Sequence, residues 1–276
     1  MAKSLISRFF SRNADDRTSP AEPQAAVAPT PVAPRPEIRS EHISQQFNQD
    51  LEELRSQLLA MGGLVETQLQ DALQALVQGD TELALRVKKR EAEVNEYDLR
   101  IDDDCTRLIA RRQPTASDLR MVVSVYKCAS DLERMGDEAK RLAKLTLKLA
   151  EDGQAPVGYT EIRAIGQRVL GMVRDILDAF ARQDLDAAFD VAEQDRQVDK
   201  AYKAANKQII ATMQASPEAI PSLLHMLWAV RALERIGDHA HNIAQSLAFL
   251  VKGKDVRHAG LESFRTLVGR PRDEDD

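Results

Sequence analysis

A six-residue stretch occurs twice in this 276-residue chain. Leu132-Glu133-Arg134-Met135-Gly136-Asp137 returns as Leu233-Glu234-Arg235-Ile236-Gly237-Asp238. Each copy runs on to two alanines, Ala139 and Ala143 in the first, Ala240 and Ala244 in the second. On a helix, each copy sets two carboxylates one turn apart with a glycine between them. Like charges at that spacing cost a helix roughly 0.2–0.5 kcal/mol, and the glycine adds about 1 kcal/mol relative to alanine. An unfavourable hexapeptide present twice points to use rather than tolerance. Carboxylates in such pairs are donors for hard divalent or trivalent cations.

Matching oxygen donors precede each copy. Upstream of the first stand Glu91 and Asn95, continued by Asp98 and Asp102; upstream of the second stand Asp195 and Asp199. Val94-Asn95 corresponds to Val198-Asp199. Counting ~100° per residue from the core stripe of the third helix, Glu133 and Asp137 lie roughly 120–160° away, on the outer face of a bundle. Glu234 and Asp238 take the same angles on the sixth helix. If neighbouring helices pack, Glu91, Asn95, Glu133 and Asp137 line one surface seam, and Asp195, Asp199, Glu234 and Asp238 line a second. The competing reading is a solvated acidic face neutralised by Arg134 and Arg235. Gly136 and Gly237 either permit close approach of a helix or an ion, or are small packing positions.

His239 and His241 follow the second copy, but the first has Glu138 and Lys140 there. A phosphoaccepting histidine is therefore not part of the repeated design. The chain has no Gly-rich phosphate loop, no Ser-His-Asp order and no CxxC, so nothing specifies catalysis. A carboxylate-bridged metal protein with a redox or storage role is the alternative function; that class needs inward Glu-x-x-His pairs, which the motifs lack.

The elements that must hold these acids are long helices. Leu51, Leu54, Leu58, Met61, Val65, Leu69, Leu73 and Leu76 recur at three and four residues, which predicts a first helix from near Ile38. Gly62-Gly63 is a point where it can bend. A second helix is expected over Thr81–Arg111, with the stripe Val94, Tyr97, Ile101, Cys105, Leu108. Pro114 ends it, because the residue before proline avoids the helical region. Thr115 or Ser117 can cap a third helix, which runs to about Leu149 with the stripe Val125, Cys128, Leu132, Met135, Ala139, Leu142, Leu145, Leu149. After a Gly/Pro loop the cycle repeats, over 159–182, 185–213 and 217–251. Ser216 before Pro217 reads as a cap. The expected fold is all-α: two tandem three-helix bundles, 38–151 and 157–251, of six long antiparallel helices at a period of about 100 residues.

Composition sets the bounds. Hydrophobic residues make up 43% and aromatics only 4%, and the net charge is -6. That balance opposes a nucleic-acid footprint, which needs a basic face. Cys105 and Cys128 fall on apolar stripes and read as buried thiols of a reducing compartment. No apolar run reaches the ~20 residues of a membrane span. Residues 1–37 begin with a short basic-apolar stretch and become rich in proline and alanine, which reads as an extension outside the core. Residues 252–276 read as a polar, acidic tail.

The two hexapeptides, the segment Arg111-Arg112-Gln113-Pro114-Thr115-Ala116-Ser117-Asp118-Leu119-Arg120 and the pair of three-helix repeats together resemble the PhoU family of bacterial phosphate-signalling proteins. The resemblance spans roughly 38–251. It implies a cytoplasmic, non-enzymatic negative regulator of the phosphate-starvation response, often a homodimer. Its expected partners are the ATPase PstB of the phosphate ABC transporter and the sensor kinase PhoR, with membrane association only through them. It also implies surface clusters of iron or another cation, at Glu133 and Asp137 and at Glu234 and Asp238, helped by Glu91 with Asn95 and by Asp195 with Asp199. Asn95 in place of an acid makes the first site the less charged. The two ends of the chain depart from the family pattern.

Overall fold

The computed structural model describes residues 38–257 and 259–271, with side chains from Gln45 onward; the expectation of an extension over 1–37 lies outside the described residues. The apolar stripes become seven helices: α1 (Ile38–Gln78), α2 (Thr81–Arg112), α3 (Ala116–Asp152), α4 (Tyr159–Arg182), α5 (Leu185–Ala215), α6 (Ile220–Lys252) and α7 (Gly260–Val268). A 3₁₀ turn, Pro217–Ala219, leads into α6. No strand occurs among the described residues.

The repeat is visible in the capping chemistry. Asp80 and Asp184 hold equivalent places, and each side chain accepts a backbone N–H of the following helix, Leu83 at 2.9 Å and Ala187 at 3.1 Å. Gln113 and Gln183 end α2 and α4 in the left-handed region. Thr115 and Ser216 stand before helices, but neither side chain caps. Their carbonyls act instead, accepting from Asp118 at 3.1 Å and Ala219 at 3.0 Å. Ala116 also has a positive φ, 47°, which for a residue with a Cβ carries strain.

Every member of the predicted third stripe is buried, Cys128 included, as is Cys105 on α2. α1 runs unbroken through Gly62-Gly63. A side chain at Gly62 would collide with Leu177 of α4, and one at Gly166 with Leu73 of α1. Glu66 pairs with Arg174 at 2.7 Å in the same antiparallel register. The described residues of the two repeats thus join into one compact unit from Ser40 onward.

A long seam runs between α3 and α6. Arg120 donates to the Leu250 carbonyl at 3.1 Å and Ser124 to the Ser246 carbonyl at 3.3 Å. Asp131 meets His239 at 2.9 Å, Glu138 meets Arg235 at 2.8 Å, and Asp152 meets His225 at 2.8 Å. The contacts climb α3 while descending α6, so the helices are antiparallel and the two hexapeptides cross near Met135 and Arg235.

The expected acidic tail is corrected in part. Residues Gly260–Val268 form α7. Phe264 is buried edge-on against Phe189 of α5, with ring centroids 5.6 Å apart. Arg265 bonds Glu193 at 2.7 Å, and Arg270 reaches Asp186 and Asp190. The signal was present in the apolar spacing of Leu261, Phe264 and Leu267, masked by the charges around it.

Candidate metal centres

α2 packs on α3 and α5 packs on α6, which brings the acids of each repeat together. Glu91 of α2 joins Glu133 and Asp137 of α3, with one carboxylate oxygen from each within 4.8 Å of the others. Asp199 of α5 joins Glu234 and Asp238 of α6 in the same way. The glycine of each hexapeptide makes the approach possible. A Cβ on Gly136 would lie 3.3 Å from Glu91 Oε2 and 3.2 Å from Val94, and one on Gly237 would lie 3.2 Å from Asp195 Oδ1. Close approach is therefore the role of both glycines.

The upstream pairs differ between the two repeats in residue type and in surroundings. In the first repeat Glu91 enters the triad, while Asn95 is exposed. In the second, Asp199 enters. Asp195, at the place of Glu91, is turned to His241, whose Nδ1 lies 3.0 Å from Asp195 Oδ2. The far nitrogen of His241 meets Gln245 at 3.0 Å. At the position of His241 the first repeat has Lys140, 3.5 Å from Asp137.

Gln68 on α1 was not picked out by sequence reasoning. It is fully buried, donates to Glu91 Oε2 at 2.7 Å and reaches the Gly136 carbonyl at 3.3 Å. The available signal was a polar residue inside the apolar stripe between Val65 and Leu69. In the second centre a methionine, Met172, stands beside Gly237.

The outward placement holds only in part. Asp137 and Asp238 are exposed, but Glu91 and Glu234 are buried, at 2% and 7% exposure. The angular count referred to a lone three-helix bundle. In the folded chain α6 is packed by α3, α4 and α5, which covers a flank that would otherwise face water. Burial pushes the Glu91 carboxyl up to about 7, opposed by its bond to Gln68. It pushes Glu234 up to about 6, helped by the charge of Asp238. Burial also raises Glu133, with Asp137 and Asp98 adding to it, and raises Asp238, with Asp195 and Asp199 adding.

Four buried oxygens in or beside these clusters have no hydrogen-bond partner among the described residues: Glu91 Oε1, Gln68 Oε1, Glu234 Oε2 and Asp195 Oδ1. Leaving such an acceptor unmatched costs about 1–3 kcal/mol, and a cation would satisfy it. The triads themselves offer only oxygen, which suits a hard ion. Glu91, Glu133 and Asp137 would hold it in one repeat and Asp199, Glu234 and Asp238 in the other.

Of the two expected neutralising arginines, Arg134 does act on its own acid, its charge opposing the rise of the Glu133 carboxyl. Arg235 bonds Glu138 across the α3–α6 seam rather than its own acids, because the antiparallel crossing points it at the other repeat. Arg231 pairs with Glu234 instead. His239 is 8% exposed and bound to Asp131; an anchored, covered ring does not suit phosphoryl exchange. Tyr97 and Tyr202 are half-buried beside the core.

The fold and site define a class: a tandem helical-repeat protein with one carboxylate triad in each repeat. The sequence matches the PhoU domain over residues 58–146 and 162–247. A PhoU homolog of the phosphate-specific transport system from Pseudomonas putida is 50% identical over 84% of this chain and 91% of its own length. The crystal structure of PhoU from Pseudomonas aeruginosa covers 75% of this chain and 100% of its own, at 49% identity and TM-score 0.74. PhoU from Streptococcus pneumoniae, a phosphate transport regulatory protein, superposes at TM-score 0.71 with 35% identity, covering 76% of this chain and 99% of its own. The chain belongs to the PhoU family, an accessory and regulatory family of phosphate transport rather than a family of enzymes.

Proposed function

We propose that the chain is a cytoplasmic adaptor that represses the phosphate regulon and restrains phosphate uptake when phosphate is plentiful. In this reading it connects PstB, the ATPase of the phosphate ABC transporter, to the sensor kinase PhoR, acts as a homodimer and meets the membrane only through these partners. No helix among the described residues is long and apolar enough to cross a membrane. The observation that carries the reading is the pair of carboxylate triads at equivalent places in two repeats, on a chain half identical to a transport-system accessory protein.

Each triad would hold iron or another divalent or trivalent cation. A bound cation supplies charge neutralisation for acids that burial has made costly to ionise. The residues of the chain then do the rest. Gln68 fixes the orientation of Glu91, and His241 fixes that of Asp195. Gly136 and Gly237 keep the upstream helices close enough for carboxylates from two helices to meet. A loaded seam would stiffen α2 against α3 and α5 against α6, giving partners a defined helical face.

The test is a chain with Glu133, Asp137, Glu234 and Asp238 changed to their amides. Metal analysis of purified protein and phosphatase expression under high phosphate are the readouts. We expect loss of bound metal and derepressed expression. Full metal content in the variant sinks the cation reading, and full repression sinks the link between these acids and signalling.

A further inference from the structure

Beyond the crossing of the hexapeptides, α3 and α6 leave a groove of about 480 Å³ open between them. Arg141, Lys144, Leu145 and Lys148 line it from α3, and His225 and Trp228 from α6. Leu145 is buried and forms the floor. Trp228, the only tryptophan of the chain, is 49% exposed. Its ring centroid lies 5.7 Å from that of His225, which Asp152 holds at 2.8 Å.

The rim is locally positive on a chain of net charge -6. Arg141 leans on Glu138 at 3.4 Å, but Arg235 already pairs with that carboxylate at 2.8 Å. Lys148 meets Glu151. Lys144 has no ion-pair partner among the described residues.

The opposite half of the seam is built differently. Shifting by the spacing of the two hexapeptides puts Lys127 in the place of Trp228 and Phe249 in the place of Lys148. There Lys127 stands over the Phe249 ring at 5.3 Å, so cation and aromatic satisfy each other. Asn242 and Gln245 replace Arg141 and Lys144. At the places of Leu145 and Trp228 the other half has Ser246 and Lys127, so an exposed tryptophan over an apolar floor is not repeated there.

We propose that this groove docks an acidic protein segment that carries an aliphatic or aromatic anchor. The anchor would cover Leu145 and the face of Trp228, where burying apolar area is favourable at about 25 cal/mol per Å². The flanking acids would meet Arg141, Lys144 and Lys148, which face one side of the groove within two turns of helix. None of the six lining residues belongs to a carboxylate triad, so the inference stands apart from the cation reading and gives the adaptor a surface of its own.

Trp228 is its own reporter. The full-length protein is titrated with a tryptophan-free peptide of Asp and Glu around a central Leu-Phe pair, and fluorescence is followed. We expect a saturable change that weakens as salt rises. A labelled version of the peptide, read by anisotropy, should bind the Lys144→Glu/Lys148→Glu variant about tenfold more weakly or worse, and should lose affinity when Leu-Phe becomes Ala-Ala. The variant's cation binding should stay at the wild-type level. An unchanged Trp228 spectrum overturns the proposal, as does equal affinity for the charge-reversed variant. A response to anionic phospholipid vesicles or to ATP without one to the peptide also overturns it.

Discussion

Arg235, the third residue of the second hexapeptide, lies 2.8 Å from Glu138, the residue that follows the first. Glu138 is 3% exposed, so each repeat contributes half of a covered ion pair. The contact ties the two carboxylate seams to one helix crossing.

Removing Arg235 leaves Glu138 with only Arg141, at 3.4 Å. Stripping one partner from a buried pair costs about 3–5 kcal/mol, and the part exposure of Arg235 puts the expected loss at about 2–3 kcal/mol. Urea unfolding of Arg235→Ala reads it. Adding Glu138→Gln should recover part of the loss, because the stranded charge is then gone; a double mutant no more stable than Arg235→Ala argues against the pair.

Glu91 makes the cation-free protein sensitive to pH. Its carboxyl sits at about 7 when folded against an ordinary value of 4.5. Between those values the folded state holds a proton that the unfolded state has lost, so stability falls as pH rises. Below that window Glu91 contributes nothing, and above it the penalty is complete, at most about 3 kcal/mol. Glu234, raised to about 6, adds in the same direction. Chelated wild-type protein should lose stability from pH 4.5 to pH 7.5, and Glu91→Gln should flatten that slope. A slope unchanged by the substitution contradicts the assignment.

Gly136→Ala sets helix propensity against space. Alanine gains about 1 kcal/mol over glycine in a helix, but its Cβ would press on Val94 and Glu91 Oε2. We expect a melting temperature within a few degrees of wild type and weaker cation binding at the first centre alone. Calorimetric titration separates the two sites, since Gly237 and the second centre are untouched.

Ala116 offers a stabilising change. Its φ of 47° lies where a Cβ is strained and glycine is not. Ala116→Gly should raise stability by about 1 kcal/mol, visible as a higher urea midpoint at unchanged slope.

Phe264→Ala removes the residue that fixes α7 to Phe189. Because the recorded packing of α7 among the described residues is against α5, the expected result is local: amide exchange rises across 260–268 while α1 to α6 keep their protection. A global loss of protection would falsify this placement.

The sequence by itself determined the six long helices, the tandem repeat and the existence of acids at helical spacing in both halves. These rest on a period of 3.6 residues, a local property of the chain. It also determined that Glu133 meets Asp137 and Glu234 meets Asp238, because residues four apart share a helix face. The tertiary structure alone decided that Glu91 comes within reach of Glu133 and Asp137, and Asp199 within reach of Glu234 and Asp238. Those meetings are between residues far apart in sequence, and Gln68, from α1, bonds both Glu91 and the Gly136 carbonyl. The same packing buried Glu91 and Glu234, turned Arg235 toward the other repeat and left Trp228 beside an open groove. A periodic pattern says which face a residue is on; only the packed neighbours say what that face meets.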